Sequence, residues 1–308
     1  MQLFRFVPVL SDDVAKLINS YKTASCSLDP LTTKLVKKLV HLLAGPISRI
    51  INLSITTGCF STTLKHAVIT PLIKKPGLYP EDLANHRPIA GLSFLSKLIE
   101  RVVHRQLIST HLRAFHLLPD RQSASRTNYS TETALLGLYN DLLCNADADL
   151  ATTVCFPDLT AAFDTIDHNI LLDSLSTRCG IAADALLWFS SYLSGRTQCV
   201  RVGDCLSSSV SDAVGVPQGS VNGFILFIIL VSALPEQTAT DGVTIDQYSD
   251  DTNGRITFKL LSKDDHSDQR AAISNLDHWT RRTDGWLFDQ HIIPKLSKSL
   301  FFYAVSPY

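Results

Sequence analysis

Apolar residues recur along this chain with two rhythms, one of three to four residues and one of two. The first dominates the N-terminal half. Leu31, Leu35, Leu39 and Leu42, with Val36 and Leu43, form a helical stripe, and Lys34, Lys37, Lys38 and His41 fall off it. Gly45-Pro46 is expected to end that helix and start another through Ile47, Ile50, Ile51 and Leu53, stopping at Gly58. Residues 67–73, AVITPLI, read as a strand containing a proline, followed by a turn at Lys74-Lys75-Pro76-Gly77. A long amphipathic helix after Arg87-Pro88 uses Leu92, Leu95, Leu98, Ile99, Val102, Val103 and Leu107 as its buried side, and another runs from about Thr131 to Cys144.

The rhythm then changes. Ala151 to Phe156 is a β-branched strand ending at Pro157-Asp158, with helices expected near Ile170–Leu175 and Asp184–Leu193. Residues 198–202 and 205–214, separated by Gly203-Asp204, read as a hairpin. A buried helix covers Ser220 to Leu234. Val243–Tyr248 and Asn253–Leu260 form a second hairpin with Ser249-Asp250-Asp251-Thr252 at its turn. This order gives an α+β class, a sheet backed by helices on one face.

Composition changes this picture little, but charge does. With 45% apolar residues, 14 Gly and 13 Pro in 308 residues, collagen-like, coiled-coil and disordered chains are excluded. Seven cysteines without a C-x-x-C pair suit a reduced intracellular chain, nuclear or cytoplasmic, with no structural zinc. The first ten residues do not form a signal peptide, and the longest apolar stretch, Phe224–Val231, is shorter than the roughly 20 residues of a membrane span. Residues 1–126 hold 17 Lys and Arg against 7 Asp and Glu, whereas residues 127–308 hold 11 against 22. The basic part suits a polyanion and the Asp-rich part suits divalent cations, while two solvated faces of one domain give the same counts.

Candidate chemistry centres on Asp158, at the end of an apolar strand, and on the pair Asp250-Asp251 at a hairpin tip. Acidic residues at strand ends are usually just solvated. Three together form an oxygen-rich site that fits Mg²⁺ better than Zn²⁺, because no Cys or His accompanies them. Two such ions would serve an in-line phosphoryl displacement. No GxxxxGK[ST] loop is present, which argues against a P-loop ATPase.

The run FPDLTAAFDTIDH (156–168), then GVPQGSVNGF (215–224), then QYSDDT (247–252) resembles, in order and spacing, the three central motifs of reverse transcriptases. The likeness is greatest to non-LTR, LINE-type retrotransposons. It continues upstream through LDPLTTKLVKK (28–38), LKHAVITPLIKK (64–75), NHRPIAGLSFLSKLIERVV (85–103) and LLPDRQSASR (117–126). The resemblance implies right-hand fingers and palm, the palm an antiparallel sheet backed by helices, with the thumb largely missing. By the same resemblance, residues 1–62 are an N-terminal helical extension, 63–260 fingers and palm, and 261–308 the palm end or start of a thumb.

It implies roles as well. Asp158, Asp250 and Asp251 become the metal-binding catalytic carboxylates, for two Mg²⁺ ions or Mn²⁺. Phe163 matches the aromatic that admits or excludes a sugar 2′-hydroxyl, although a core phenylalanine is the simpler role. Gln218 and Gly219 match the loop lying against template and incoming nucleotide, or else form a plain turn before a helix. Arg87 matches the arginine that meets the triphosphate. Gln122 and Arg126 match a template-side element, and Lys298 a lysine that protonates pyrophosphate. Asp167 reads more simply as a helix N-cap. The implied partners are an RNA template, a DNA primer and deoxynucleoside triphosphates, with no membrane and no defined oligomeric state.

Some positions depart from the family pattern. Pro157 precedes the metal aspartate where a strand-forming apolar residue is usual, Asn222 and Phe224 replace an apolar residue and a proline, Ser125 replaces an aromatic, and Ser249 replaces alanine. Trp279 and Lys298-Ser299 are all that matches the family's segment after residue 260. Two further readings therefore stand beside a polymerase: a nucleic-acid-binding remnant without catalysis, and an acidic cation-binding module.

Overall fold

The computed structural model describes residues 2–23, 26–124, 126, 128–157, 159–160, 163–259, 266–294 and 300–304. In chain order the elements are α1 (Ser11–Ser20), α2 (Thr33–Lys38), α3 (Val40–Thr57), β1 (His66–Ile73), β2 (His86–Gly91), α4 (Phe94–Arg105), α5 (Thr131–Asp147), β3 (Leu150–Phe156) and β4 (Leu159–Thr160). There follow α6 (His168–Thr177), α7 (Ala183–Leu193), β5 (Arg196–Val202), β6 (Cys205–Leu206), β7 (Val210–Asp212), α8 (Gly223–Val231), α9 (Leu234–Gln237), β8 (Val243–Tyr248), β9 (Asp251–Lys259), α10 (Ser267–Asp289), β10 (Ile293–Pro294) and β11 (Leu300–Ala304). The result is a mixed α/β chain in two compact units: Met1–Leu117 with Asp167–Leu226, and Leu118–Ile166 with Phe227–Tyr308.

In the first unit β1 is the hub of a sheet ordered β2-β1-β5-β6, with β7 also pairing β5. β1 runs antiparallel to β2 and parallel to β5. Helices fill the interior beside it. Phe6, Phe60, Trp188, Phe189 and Tyr192 interlock there, with the rings of Trp188 and Tyr192 stacked 5.3 Å apart. Such aromatic pairs add about 0.5–1.5 kcal/mol beyond the area they bury.

Two sequence expectations are corrected here. The N-terminal stripe breaks at Leu39 (φ −101°, ψ 19°), not at Gly45-Pro46, and Pro46 lies inside α3. An interior proline costs about 3 kcal/mol. Burial of Ala44, Ile51 and Ile55 from the same helix offsets it, and the Ser48 hydroxyl donates to the carbonyl of Gly45 at 2.8 Å. Likewise, Arg87-Pro88 does not open a helix. Both lie in β2, where a residue preceding proline is pushed to extended backbone, and α4 starts only after Ser93, whose side chain accepts from Ser96 N. The next turns, Gln106–Leu112, are π-helical.

The second unit is built on a fully antiparallel four-stranded sheet, β11-β3-β9-β8. β3 is an inner strand, read correctly from its β-branched run. Pro157 follows its last residue, so the missing N–H removes nothing from the ladder. The helix α10 lies on β9. A methyl group added at Gly254 would stand 2.4 Å from the ring of buried Trp279, so only glycine lets the helix approach this closely. The short pair β4–β10 completes the unit. Among the described residues, no helix is long and apolar enough to cross a membrane.

Candidate active site

In the second unit, β8 and β9 pair from Val243↔Ile256 to Tyr248↔Asp251. The hairpin turn is therefore only Ser249-Asp250. Asp251 and Thr252 belong to β9 rather than to the four-residue turn expected from the sequence. A two-residue turn needs a positive φ to match the twist of its strands, and Ser249 supplies it at +60°. Asp250 is half-buried at the tip, and Asp251 is exposed next to it. The strand β3 runs antiparallel beside β9, with Cys155 opposite Gly254, so its C-terminal end lies at the tip end of the hairpin. Asp158 is outside the described residues, two positions after the last residue of β3.

The turn is held from below. Gln122 is fully buried, and its side-chain oxygen accepts from Ser249 N at 3.1 Å and from Ala124 N at 3.0 Å. Around it the main chain pairs with β8, Ser123 N donating to Gln247 O at 2.9 Å and Gln247 N to Arg121 O at 3.0 Å. Gln122, expected on the template side, thus supports the turn with its side-chain oxygen, which accepts from two main-chain N–H groups. Arg126 closes its own loop, its guanidinium donating to the carbonyls of Leu118 (3.3 Å) and Pro119 (2.6 Å) and standing over the Tyr129 ring. Phe163 sits 4.7 Å, centroid to centroid, from Phe227. That packing fits its reading as a core aromatic.

An ion network not anticipated from the sequence stiffens the same hairpin. Buried Arg255 on β9 donates to Asp246 on β8 and to Asp141 on α5, and Arg121 reaches Asp246 at 2.6 Å. A buried guanidinium demands such partners, because an uncompensated charge costs several kcal/mol. The available signal was the alternation Asp246, Tyr248, Asp250, which sets an acidic residue four positions before Asp250 on the same face of the strand that leads to the tip. A cavity of about 650 Å³ runs beside the network, lined among others by Tyr129, Asp141, Tyr248, Asp251 and Arg255.

The first unit carries the other set. Arg87 is exposed on β2, the edge strand of its sheet. On the same strand, Ala90 N donates to Gln218 O at 2.7 Å, which joins the 217–219 loop to β2. Gly219 has φ +118°, and a methyl group there would lie 2.9 Å from Ala90 O. Glycine is therefore required twice, for backbone angle and for closeness. Glu100, unnoticed in the sequence, is fully buried beneath this loop and accepts from Val221 N at 2.7 Å and Asn222 N at 3.2 Å. Its signal was the row Ser96, Glu100, Val103, Leu107, spaced four, three and four, which carries a carboxylate along a buried helix face. Burial pushes the Glu100 carboxyl above its ordinary range, against the pull of those two amides and of Arg196. Asp167 caps α6 as expected, accepting from Asn169 N at 2.7 Å and Ile170 N at 3.2 Å.

The sequence profile described as Reverse transcriptase (RNA-dependent DNA polymerase) matches residues 73–281, more than half of the 308. This chain belongs to the reverse transcriptase family. Its type is that of non-LTR retrotransposons. It is 28% identical over 250 residues to the RNA-directed DNA polymerase from mobile element jockey of Drosophila funebris, covering 79% of this chain and 27% of the relative. It is 30% identical over 231 residues to the probable RNA-directed DNA polymerase from transposon BS of Drosophila melanogaster (74% and 25%). For the probable RNA-directed DNA polymerase from transposon X-element of the same species the identity is 29% over 217 residues (70% and 23%). The chain thus spans about a quarter of the length of the curated relatives it matches.

Reverse transcriptases generally use divalent metal ions. The donors at the hairpin tip suit such an ion, being carboxylate oxygens without His or Cys, and among the described residues nothing pairs with the Asp250 carboxylate. No cluster of three or more His, Cys, Asp or Glu side chains forms among the described residues, which do not include Asp158. Lys298 also lies outside them.

Proposed function

We propose that this chain is the polymerising part of a retrotransposon reverse transcriptase, which adds deoxynucleotides to a primer 3′-hydroxyl under direction of an RNA template. The observation that supports this best is the convergence of β3 and the β8–β9 turn. The strand leading to Asp158 ends beside the tip that carries Asp250. In this reading residues 63–260 are fingers and palm, residues 1–62 a helical extension, and residues 261–308 the end of the palm and start of a thumb.

Asp158, Asp250 and Asp251 would hold two Mg²⁺, or Mn²⁺. Such ions, when bound, lower the pKa of the primer hydroxyl and neutralise the leaving pyrophosphate. The chain's own residues do the rest. Arg87 binds the triphosphate, with a fork of donors matched to phosphate oxygens. The Gln218-Gly219 backbone supports the template base and nucleotide, Phe163 bounds the sugar, Arg126 orders the loop on the template side, and Lys298 gives a proton to pyrophosphate. Gln122 acts through the turn that it holds.

Primer extension by the purified chain with Mg²⁺, an RNA template and a DNA primer tests this. Asp250→Ala should lower extension about a hundredfold or more while leaving circular dichroism and RNA binding unchanged. Extension that survives this substitution overturns the assignment. RNA binding by the unsubstituted chain without any extension identifies a non-catalytic remnant instead.

A further inference from the structure

The loop of residues 215–223 in the first unit is held by anchors that come from several elements. His168 Nε2 donates to Gly215 O at 2.7 Å, Ala90 N donates to Gln218 O at 2.7 Å, and Gly223 N donates to Ser220 Oγ at 2.9 Å. The remaining anchor is a carboxylate from the interior. Glu100 receives four donors: Ser96 Oγ at 3.1 Å on one oxygen, and Tyr192 OH (3.2 Å), Val221 N (2.7 Å) and Asn222 N (3.2 Å) on the other.

Two of these donors are main-chain N–H groups just ahead of α8. Such groups at a helix start have no partner within the helix, and they attract negative charge. The sequence GFILFIILV of α8 offers no acidic or capping side chain of its own. A carboxylate from α4 takes that place. Each of these four partners has a hydrogen to give, so the side chain can accept on all sides; burial raises its carboxyl, and the Asn222 and Val221 amides and buried Arg196 pull the other way.

We infer that Glu100 is a positioning residue for nucleotide addition: from inside the fold it fixes the backbone of residues 221–222, and thereby the place of Gln218 and Gly219. This rests on the polymerase reading for its functional half. A methyl group added at Gly219 would sit 2.9 Å from Ala90 O, so the loop has one seat and little slack. A displacement of about 1 Å at such a point costs on the order of a hundredfold in rate.

The test uses the full chain with Glu100→Ala and Glu100→Gln. Amide hydrogen exchange, which needs no activity, should show Val221 and Asn222 losing protection at least tenfold in Glu100→Ala while the β1–β5 ladder keeps its own. Glu100→Gln should recover most of it, because its amide oxygen still accepts both N–H groups while its NH₂ turns to Ser96 Oγ. In primer extension, Glu100→Ala should raise the KM for deoxynucleotide about tenfold or more with a smaller fall in kcat, and Glu100→Gln should restore it. A mere loss of folded protein lowers kcat alone and leaves KM unmoved, which would overturn the inference. So would unchanged protection at residues 221–222. If Glu100→Ala does not fold, Glu100→Gln carries both readouts, and protection and KM close to those of the unsubstituted chain are then expected. A raised KM in that variant with protection unchanged would also count against the inference. A wild-type chain that extends no primer defeats the polymerase reading, but the exchange result still decides whether Glu100 holds the loop.

Discussion

Ser249 holds a left-handed backbone, φ +60°, at the first central position of a two-residue turn, where glycine would adopt it without cost. A side chain there costs roughly 1–2 kcal/mol. The buried amide of Gln122 offsets this by accepting the Ser249 N–H, so the strained residue beside Asp250 is stabilised from the interior. Strain of this kind persists only where the surroundings over-determine it. Gln122→Ala leaves the N–H of a residue only 6% exposed without its acceptor, and should lower stability in denaturant titration by about 1–3 kcal/mol. Primer extension should fall with it even though Asp250 is intact, whereas RNA binding should hold. Sequence and resemblance were enough to single out Asp250 and the motif around it. They did not show the supporting bond of Gln122, because a glutamine is usually exposed and nothing in the local pattern shows that its carbonyl is spent on a turn over a hundred positions away.

Strands were more legible than helix ends. β3 was found from its β-branched run, and the hairpin β8–β9 from alternation, to within the two residues that belong to β9 rather than to the turn. Helix limits depend on caps and on tertiary burial that outweighs local preference. Hence Pro46 sits inside α3, and α4 waits for Ser93. The inner position of β3 also has a titration consequence. Cys155 is fully buried there, and burial pushes its thiol up to about 11, with a minor upward push from Asp284 and an opposing bond from Thr280. In the unfolded chain the thiol ionises near its ordinary value of 9.0. Between those values the folded state binds more protons than the unfolded one. Stability is thus full below about pH 9 and falls as pH rises towards 11, by about 2 kcal/mol from this group. Cys179, raised to about 12 by burial, adds to the fall over the same range from pH 9 and extends it towards pH 12, so removing Cys155 alone lessens the fall without abolishing it. Denaturant midpoints measured at pH 7.5, 9 and 10.5 should show the alkaline fall, and Cys155→Ala should lessen it while costing some stability at pH 7.5. An unchanged slope in the variant would remove Cys155 as the cause.

Across the whole molecule, the charge split seen along the sequence persists, though narrower, when residues are sorted by unit. The unit of Met1–Leu117 and Asp167–Leu226 holds 18 Lys and Arg against 11 Asp and Glu, and the other holds 10 against 18. The chain as a whole is at −1, so a net-charge argument alone would predict no affinity for a polyanion. Segregation changes that, because phosphate binding depends on local cation density and on counterions released, not on the total. The sequence showed the asymmetry but not its sorting. Five residues that make the second half of the chain acidic, Asp167, Asp173, Asp184, Asp204 and Asp212, fold into the basic unit. Within that unit, Lys74 and Lys75 are exposed just past β1, and Lys74 N bonds Asn85 O at 2.8 Å, two residues from Arg87 on the paired chain. RNA binding should therefore weaken steeply with salt, the logarithm of affinity falling linearly with the logarithm of salt concentration. Substituting both lysines by glutamate should lower affinity and reduce that slope by about 0.7 for each single-strand phosphate left without its cation, or about 1.4 for two. An equal substitution at Lys16, exposed and paired with Asp13 on α1, should leave the slope within error. Filter binding from about 50 to 300 mM salt distinguishes these outcomes. A slope that does not change in the Lys74/Lys75 variant means that the basic unit meets RNA through another face.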